Sequence, residues 1–461
     1  MLSSRGAGTE ELGLTEAGSR SSSYVVLLAV IAAISGFLFG FDTAVINGVL
    51  FFLRRQFALT NLQTEVAASS LLLGCLLGAA AASLVSDRYG RKKSLLCAAL
   101  LFAASALGSA LANTVNIFSI ARLAGGLAIG LASALTPVYI AEIAPSKNRG
   151  TLVSLNQLAI VVGILCAYLV NWQLSKLGEV SWRWMLAVAA IPSVGFFLGL
   201  LVIPESPRWL IGRGRKEEGE RVLARIFGEG VAKQQVSAVE KAAAGEEGSW
   251  EEVFSPGMRK RLGVAVALAL FSQVTGINTV LYYGSIVISE HFSGQTTGMA
   301  MAANVIIGGV NLLFTLVAML FLDRWGRRTI LMTASGGMAV ALTALVVSLR
   351  FPSIPPVVML LNVLIYVAFF AFGMGPGVWL YMSEIFPTKV RGRAASLATS
   401  ALWAGTLVVT FTFLSLVKVL GVGGTFGLYA ALSLVCFLYV WKAVPETRGR
   451  TLEQIQESWG E

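Results

Sequence analysis

Histidine is almost missing from this chain: His291 is the only one in 461 residues. One imidazole builds no histidine metal site, and no other nucleophile and base stand together in the sequence, so neither an enzyme nor a metal or cofactor is expected. Cysteine is scarce too. Cys75, Cys97, Cys166 and Cys436 lie in apolar runs without metal-ligand spacing, which reads as free thiols packing as small hydrophobes. Charge is the third shortage. Only 13% of residues are charged, about half the share of a soluble domain. What fills the chain instead is apolar, at 56% hydrophobic residues and a mean hydropathy of +0.75. That much apolar surface cannot be hidden from water, so the chain reads as a multi-pass membrane protein with the lipid bilayer as partner. A net charge of +10 would suggest nucleic acid in a soluble protein. Here the usual excess of Lys and Arg in cytoplasmic loops accounts for it, and no nucleic-acid partner is expected.

Residues 1–23 are polar and lack the basic start, short apolar core and small-residue cleavage site of a signal peptide; they read as a disordered cytoplasmic tail. Apolar runs long enough to cross roughly 30 Å of hydrocarbon then follow near 24–52, 66–86, 94–112, 116–141, 152–173 and 184–203. Six more lie near 262–289, 298–322, 330–349, 357–386, 394–419 and 424–444. The expected fold is all-α, with twelve spans in two six-helix bundles, 24–203 and 261–444. A cytoplasmic linker of short helices over 204–260 joins them, and a tail over 445–461 ends the chain. With the N-terminus inside, the basic residues concentrate in the inner loops, which places both termini in the cytoplasm of a cell that carries the protein in its plasma membrane.

One stretch stands out, Ser35 to Val49, because it sets Asp42 in the middle of an apolar helical run. An acid there costs about 2.5–3.5 kcal/mol on insertion scales and marks a paired, protonated or cavity-lining group. The candidate partner is Arg122. Asp42 lies about 18 residues beyond the inner start of its helix, and Arg122 about six residues in from the outer start of the fourth span, so both fall in the outer half of the membrane.

The chain also repeats itself. Ser86-Asp-Arg-Tyr-Gly-Arg-Lys-Lys93 returns as Leu322-Asp-Arg-Trp-Gly-Arg-Arg-Thr329. Glu142-Ile-Ala-Pro-Ser-Lys-Asn-Arg-Gly150 returns as Glu384-Ile-Phe-Pro-Thr-Lys-Val-Arg-Gly392, and Pro204-Glu-Ser-Pro-Arg as Pro445-Glu-Thr-Arg-Gly. A spacing of about 240 residues in each case marks a duplicated six-helix unit, the layout of a transporter with its substrate between two rocking halves. These motifs resemble those of the major facilitator superfamily, sugar porter family, over nearly the whole chain from Tyr24 to Glu453.

The resemblance implies roles. Asp87, Arg88, Arg91, Glu142, Arg149 and Glu205, with Asp323, Arg324, Arg327, Glu384, Arg391 and Glu446, would form ion pairs between the halves that lock the cytoplasmic mouth. Ser83 stands where this signature usually opens with Gly. Phe39, Gln157, Gln273, Asn278, Asn311, Trp379 and Trp403 would contact a monosaccharide, since amides exchange hydrogen bonds with hydroxyls and aromatic faces cover a sugar ring. Tyr282 and Tyr283 would form the outer gate, although both also read as core aromatics. Asp42 and Arg122 would be the proton-coupling pair. Gly375-Pro376-Gly377 interrupts the tenth span and offers a hinge.

Two departures from the family pattern remove hydroxyl partners: Ser272 precedes Gln273 where paired Gln is common, and Leu402 precedes Trp403 where Asn or Gln is common. Ile164 stands where the bacterial proton/xylose symporters carry Gln, which favours a hexose. The expectation is a proton-coupled sugar symporter, monomeric, working by alternating access. A facilitative uniporter of the same fold, and more remotely a membrane sugar sensor, are the alternatives.

Overall fold

The computed structural model describes residues 7–145, 149–230, 232–233, 236–237, 250–291, 297–351, 353–387 and 390–446, helical nearly throughout. Ten helical stretches among them are long and apolar enough to cross a membrane. Two of these, Gly150–Val202 and Gly392–Ala443, run 53 and 52 residues, about 80 Å if straight, far more than one crossing needs. Each is a pair of spans. The first turns over at Gly178 (φ 75°) and the second at Gly421 (φ 71°), a backbone region glycine enters freely. Ten stretches thus make the expected twelve spans.

Spans 1 to 6 are Ser23–Gln56, Asn61–Tyr89, Arg91–Ala110, Val115–Ile143, Arg149–Leu174 and the broken pair Ser181–Ala187 and Ala190–Val202. The helix carrying span 1 begins at Ala7 rather than after a disordered tail; Glu10, Glu11, Leu12, Glu16 and Ala17 suit a helix and let the ladder continue backward. Short helices Pro207–Gly212, Lys216–Phe227 and Trp250–Val253 follow. Spans 7 to 10 are Pro256–Val274 with Ile277–His291, Thr297–Trp325, Arg327–Arg350, and Pro356–Phe369 with Gly375–Ile385; Arg391–Ala443 holds spans 11 and 12.

Local chemistry sets the ends. Thr60 caps span 2 in a reciprocal box, its hydroxyl accepting from the Gln63 N–H at 3.3 Å while the Gln63 amide oxygen accepts from the Thr60 N–H at 3.0 Å. Thr114 caps span 4 through the Ile117 N–H.

Lipid supplies no hydrophobic drive between helices, so association depends on close backbone approach at small residues. Spans 2 and 4 meet along Gly74 and Gly78 on one side and Gly126 and Gly130 on the other. A β-carbon on Gly126 would stand 2.8 Å from the Gly74 Cα, and one on Gly130 would stand 2.6 Å from the Ala79 nitrogen. Spans 1 and 5 meet the same way, where a β-carbon on Gly163 would lie 2.9 Å from the Phe41 nitrogen.

Two spans are irregular. Span 7, expected to be continuous, breaks at Thr275–Gly276, with Gly276 at φ 91°. The carbonyl of Thr275 accepts instead from the Tyr366 hydroxyl of span 10 at 2.8 Å. Span 10 widens into a π turn over Phe370–Met374 just before Pro376, whose missing N–H breaks the α ladder there. The expected interruption at Gly375-Pro376-Gly377 is therefore present as a π turn.

The two copies of the repeated basic motif lie at one end of the bundle, here the basic end. At the opposite, far end the halves are joined by hydrogen bonds. Asn47 of span 1 donates to the Leu281 carbonyl at 2.8 Å and accepts from the Ser285 N–H at 2.9 Å, both of span 7. Tyr168 of span 5 donates to the same Leu281 carbonyl at 3.1 Å. Glu65 of span 2 accepts from the Ser415 N–H and hydroxyl of span 11 at 2.6 and 2.8 Å.

Filling the seam between spans 2 and 4 has a definite cost. Gly126→Val should destabilise the protein by about 1–3 kcal/mol, as overpacking does, and lower its unfolding temperature in detergent. Gly195→Val, where a β-carbon meets nothing within 4 Å, should leave that temperature nearly unchanged.

Candidate functional site

Asp42 and Arg122 come together in the core of the N-terminal half, 6% and 1% exposed. One guanidinium N–H of Arg122 pairs with Asp42 Oδ1, and another donates to the Asp42 backbone carbonyl at 2.7 Å. The pair ties span 1 to span 4. Room for it comes from Gly125, where a β-carbon would stand 3.0 Å from Asp42 Oδ2 and as close to the Cβ of Ser105 on span 3. Ser105 is fully buried and its hydroxyl has no protein partner. Sequence reading had no signal for Gly125 or Ser105, since neither is unusual in a membrane span.

A second cluster gathers on the C-terminal half around the break in span 7. Gln273 precedes the break and Asn278 follows it, and the turn at Gly276 folds one back on the other: Asn278 Nδ2 donates to Gln273 Oε1 at 2.5 Å. Thr406 of span 11 donates to the same oxygen at 3.0 Å, and Gln273 Nε2 donates to the Ser272 hydroxyl at 2.8 Å. Ser272, counted in the sequence as a lost hydroxyl partner, thus anchors the amide beside it. Leu402 supplies only its backbone carbonyl, to Thr406, so the polar group lies one turn further along span 11. Threonine four residues on was the available signal.

Trp403 is 2% exposed, and its ring meets Phe39 of the other half at 5.4 Å between centroids. The Trp403 indole N–H has no protein partner. Of the remaining expected contacts, Asn311 on span 8 is buried, while Gln157 on span 5 and Trp379 on span 10 are half-buried. None of the three hydrogen-bonds to protein among the described residues, and no described contact joins them to the Gln273 cluster.

The two candidate gate tyrosines are fully buried. Tyr283 donates to the Thr410 carbonyl at 2.9 Å and stacks on Phe413 at 5.1 Å, both on span 11.

Pairs between the halves are expected only while the site faces out; the described pairs at the basic end lie within each half. Arg91 binds Glu142 at 3.2 Å and Asp87 at 3.4 Å, while Arg327 binds Glu384 at 2.9 Å. Glu205 accepts from the N–H groups of Arg91 and Lys92, at 2.9 and 3.0 Å, and Glu446 from those of Arg327 and Arg328, at 2.8 and 3.1 Å. The reason is local. Gly90 (φ 93°) and Gly326 (φ 88°) turn the chain tightly into spans 3 and 9, so the free N–H groups at those helix starts face an acid from the end of the same half. Arg88 lies over Tyr89, and Arg324 is exposed. The side chains of Arg149, Asp323 and Arg391 fall outside the described residues.

The family profile described as "Sugar (and other) transporter" matches residues 28–459. The arabinose-proton symporter of Bacillus subtilis (strain 168) is 39% identical over 448 residues, covering 96% of each chain. The D-xylose-proton symporter of Escherichia coli (strain K12) is 37% identical, covering 95% of this chain and 96% of its own. Among solved structures, the inward open conformation of the xylose transporter XylE from E. coli superposes with a TM-score of 0.82 at 35% identity, over 95% of this chain and 100% of that one. The chain belongs to the sugar transporter family of the major facilitator superfamily.

Proposed function

We infer that this protein is a proton-coupled monosaccharide symporter that works by alternating access. The observation that carries the reading is the Asp42–Arg122 pair, an acid and a base buried inside one half with no other ion pair described for either. An ionisable pair inside a membrane bundle marks a proton or ion pathway by default, and movement of span 1 against span 4 would make or break this contact. Span 1 carries both Asp42 and Phe39, and Phe39 meets Trp403 across the interface. Sugar held between Phe39, Trp403, Gln273 and Asn278 would therefore bear on the same helix that holds the acid. Gln157, Asn311 and Trp379 complete the ring of candidate sugar contacts, with Tyr282 and Tyr283 as the gate above it. The two relatives are named for arabinose and xylose, both pentoses, so the expectation of a hexose is not carried further.

Positive charge places the basic end in the cytoplasm of the membrane that the chain crosses, with both termini inside. The far end then faces out, and its closure makes this an inward-facing state. The charged clusters at the basic end act as clamps that keep each half rigid. One chain carries both halves of the site, so the working unit is a monomer.

Asp42→Asn should abolish accumulation of sugar against its gradient in proteoliposomes while sparing counterflow exchange, which needs no net proton movement. Accumulation by the Asn variant, or wild-type uptake without proton movement, would leave a facilitator.

The amide cluster makes a separate prediction. Gln273→Ala should weaken sugar binding by about 1 kcal/mol or more, as loss of a buried hydrogen-bonding group does, and Thr406→Val should weaken it less because it only positions the amide. Calorimetric titration with arabinose and xylose reads both; equal affinity in Gln273→Ala and wild type would remove the cluster from the site.

A further inference from the structure

Glu65 is the one acid that bridges the two halves among the described hydrogen bonds. It lies one turn inside the far end of span 2 and is 0% exposed, although no cation is paired with it among the described residues. Both of its carboxyl oxygens are used on span 11: one accepts from the Ser415 N–H at 2.6 Å, the other from the Ser415 hydroxyl at 2.8 Å. A buried carboxyl group satisfied only by a partner on the opposite body loses both bonds if the bodies separate, and must then be rehydrated.

The same stretch of span 11 is also held from its own half. Tyr283 donates to the Thr410 carbonyl and stacks on Phe413. The end of span 11 is thus gripped by Tyr283 from behind and by Glu65 from across the interface. Asn47 makes a second bridge, but its bonds go to span 7. Spans 2 and 11 are joined at the far end by Glu65.

We propose that Glu65 is a positioning residue of the transport cycle: it latches span 2 to span 11 when the far side is closed and sets the balance between far-closed and far-open states. The proposal rests on the alternating-access reading above. Bonds made in one state only shift the equilibrium by their differential strength. Hydrogen bonds to an acidic group are among the stronger ones, so losing this latch should raise the far-open population about tenfold.

The test uses spin labels at Leu62→Cys and Lys418→Cys, exposed positions at the far ends of spans 2 and 11, in a transport-competent background lacking the four native cysteines. Pulsed dipolar distances in liposomes should show a mainly short separation for the parent. In Glu65→Ala a longer component should grow about tenfold, and the KM for sugar offered at the far side should fall together with the maximal rate. Glu65→Gln, which still offers an acceptor to the Ser415 N–H, should restore most of the short population. Ser415→Ala, which removes only the hydroxyl bond, should give a partial shift and serves if Glu65→Ala does not fold. Unchanged distances in Glu65→Ala, or in Ser415→Ala where the former is lost, overturn the latch. Failure of the symport reading would show separately, as sugar flux in the parent that neither carries nor follows protons, and does not alter the distance readout.

Discussion

Spans 1 and 4 are tied by an acid and a base that lipid would otherwise reject. Arg122 reaches Asp42 through two N–H groups, one to the carboxylate and one to the backbone carbonyl, so its contact fixes a helix as well as a charge. Such a pair needs the two helices close, and small residues allow it: Gly125 beside the acid, and Gly126 and Gly130 where span 4 meets span 2. Packing and electrostatics are the same problem here, because desolvation makes the pair strong and also makes any loss of contact expensive.

The seam between the halves follows a different rule. Inside each half the helices meet backbone to backbone through glycine, whereas the far-end contacts across the halves include single polar groups such as Asn47, Tyr168 and Glu65. A few hydrogen bonds of modest net strength hold a closed face and still release it. Close-packed glycine seams would not separate so easily.

Much of this was legible in the sequence. Twelve apolar runs, three repeated motifs and one intramembrane acid with a basic partner gave the spans, the duplication and the Asp42–Arg122 pair. The break in span 7 was missed because Gly276 sits in an apolar run whose hydropathy continues across it; only the positive φ shows the stop. The part that Ser272 and Thr406 play in holding Gln273 was missed because serine and threonine in membrane helices ordinarily bond their own backbone, as both also do here, to the carbonyls of Ala269 and Leu402. Glu65 was overlooked because it sits near a helix end, where an acid in water needs no explanation. At the basic end the duplication supplies every acid and base twice, so spacing alone does not say whether partners come from one copy or two.

That self-sufficiency reaches beyond the transport cycle. Glu205 closes the start of span 3 and Glu446 closes the start of span 9, so each six-helix unit satisfies these helix ends with its own residues. In folding terms the units are candidates for separate cooperative blocks, each complete before it meets the other. The segment between spans 6 and 7 would then act as a tether that sets how often the blocks meet, through effective concentration rather than by supplying either one's stability. A chain nicked there would keep two intact blocks and lose mainly the speed with which they find each other.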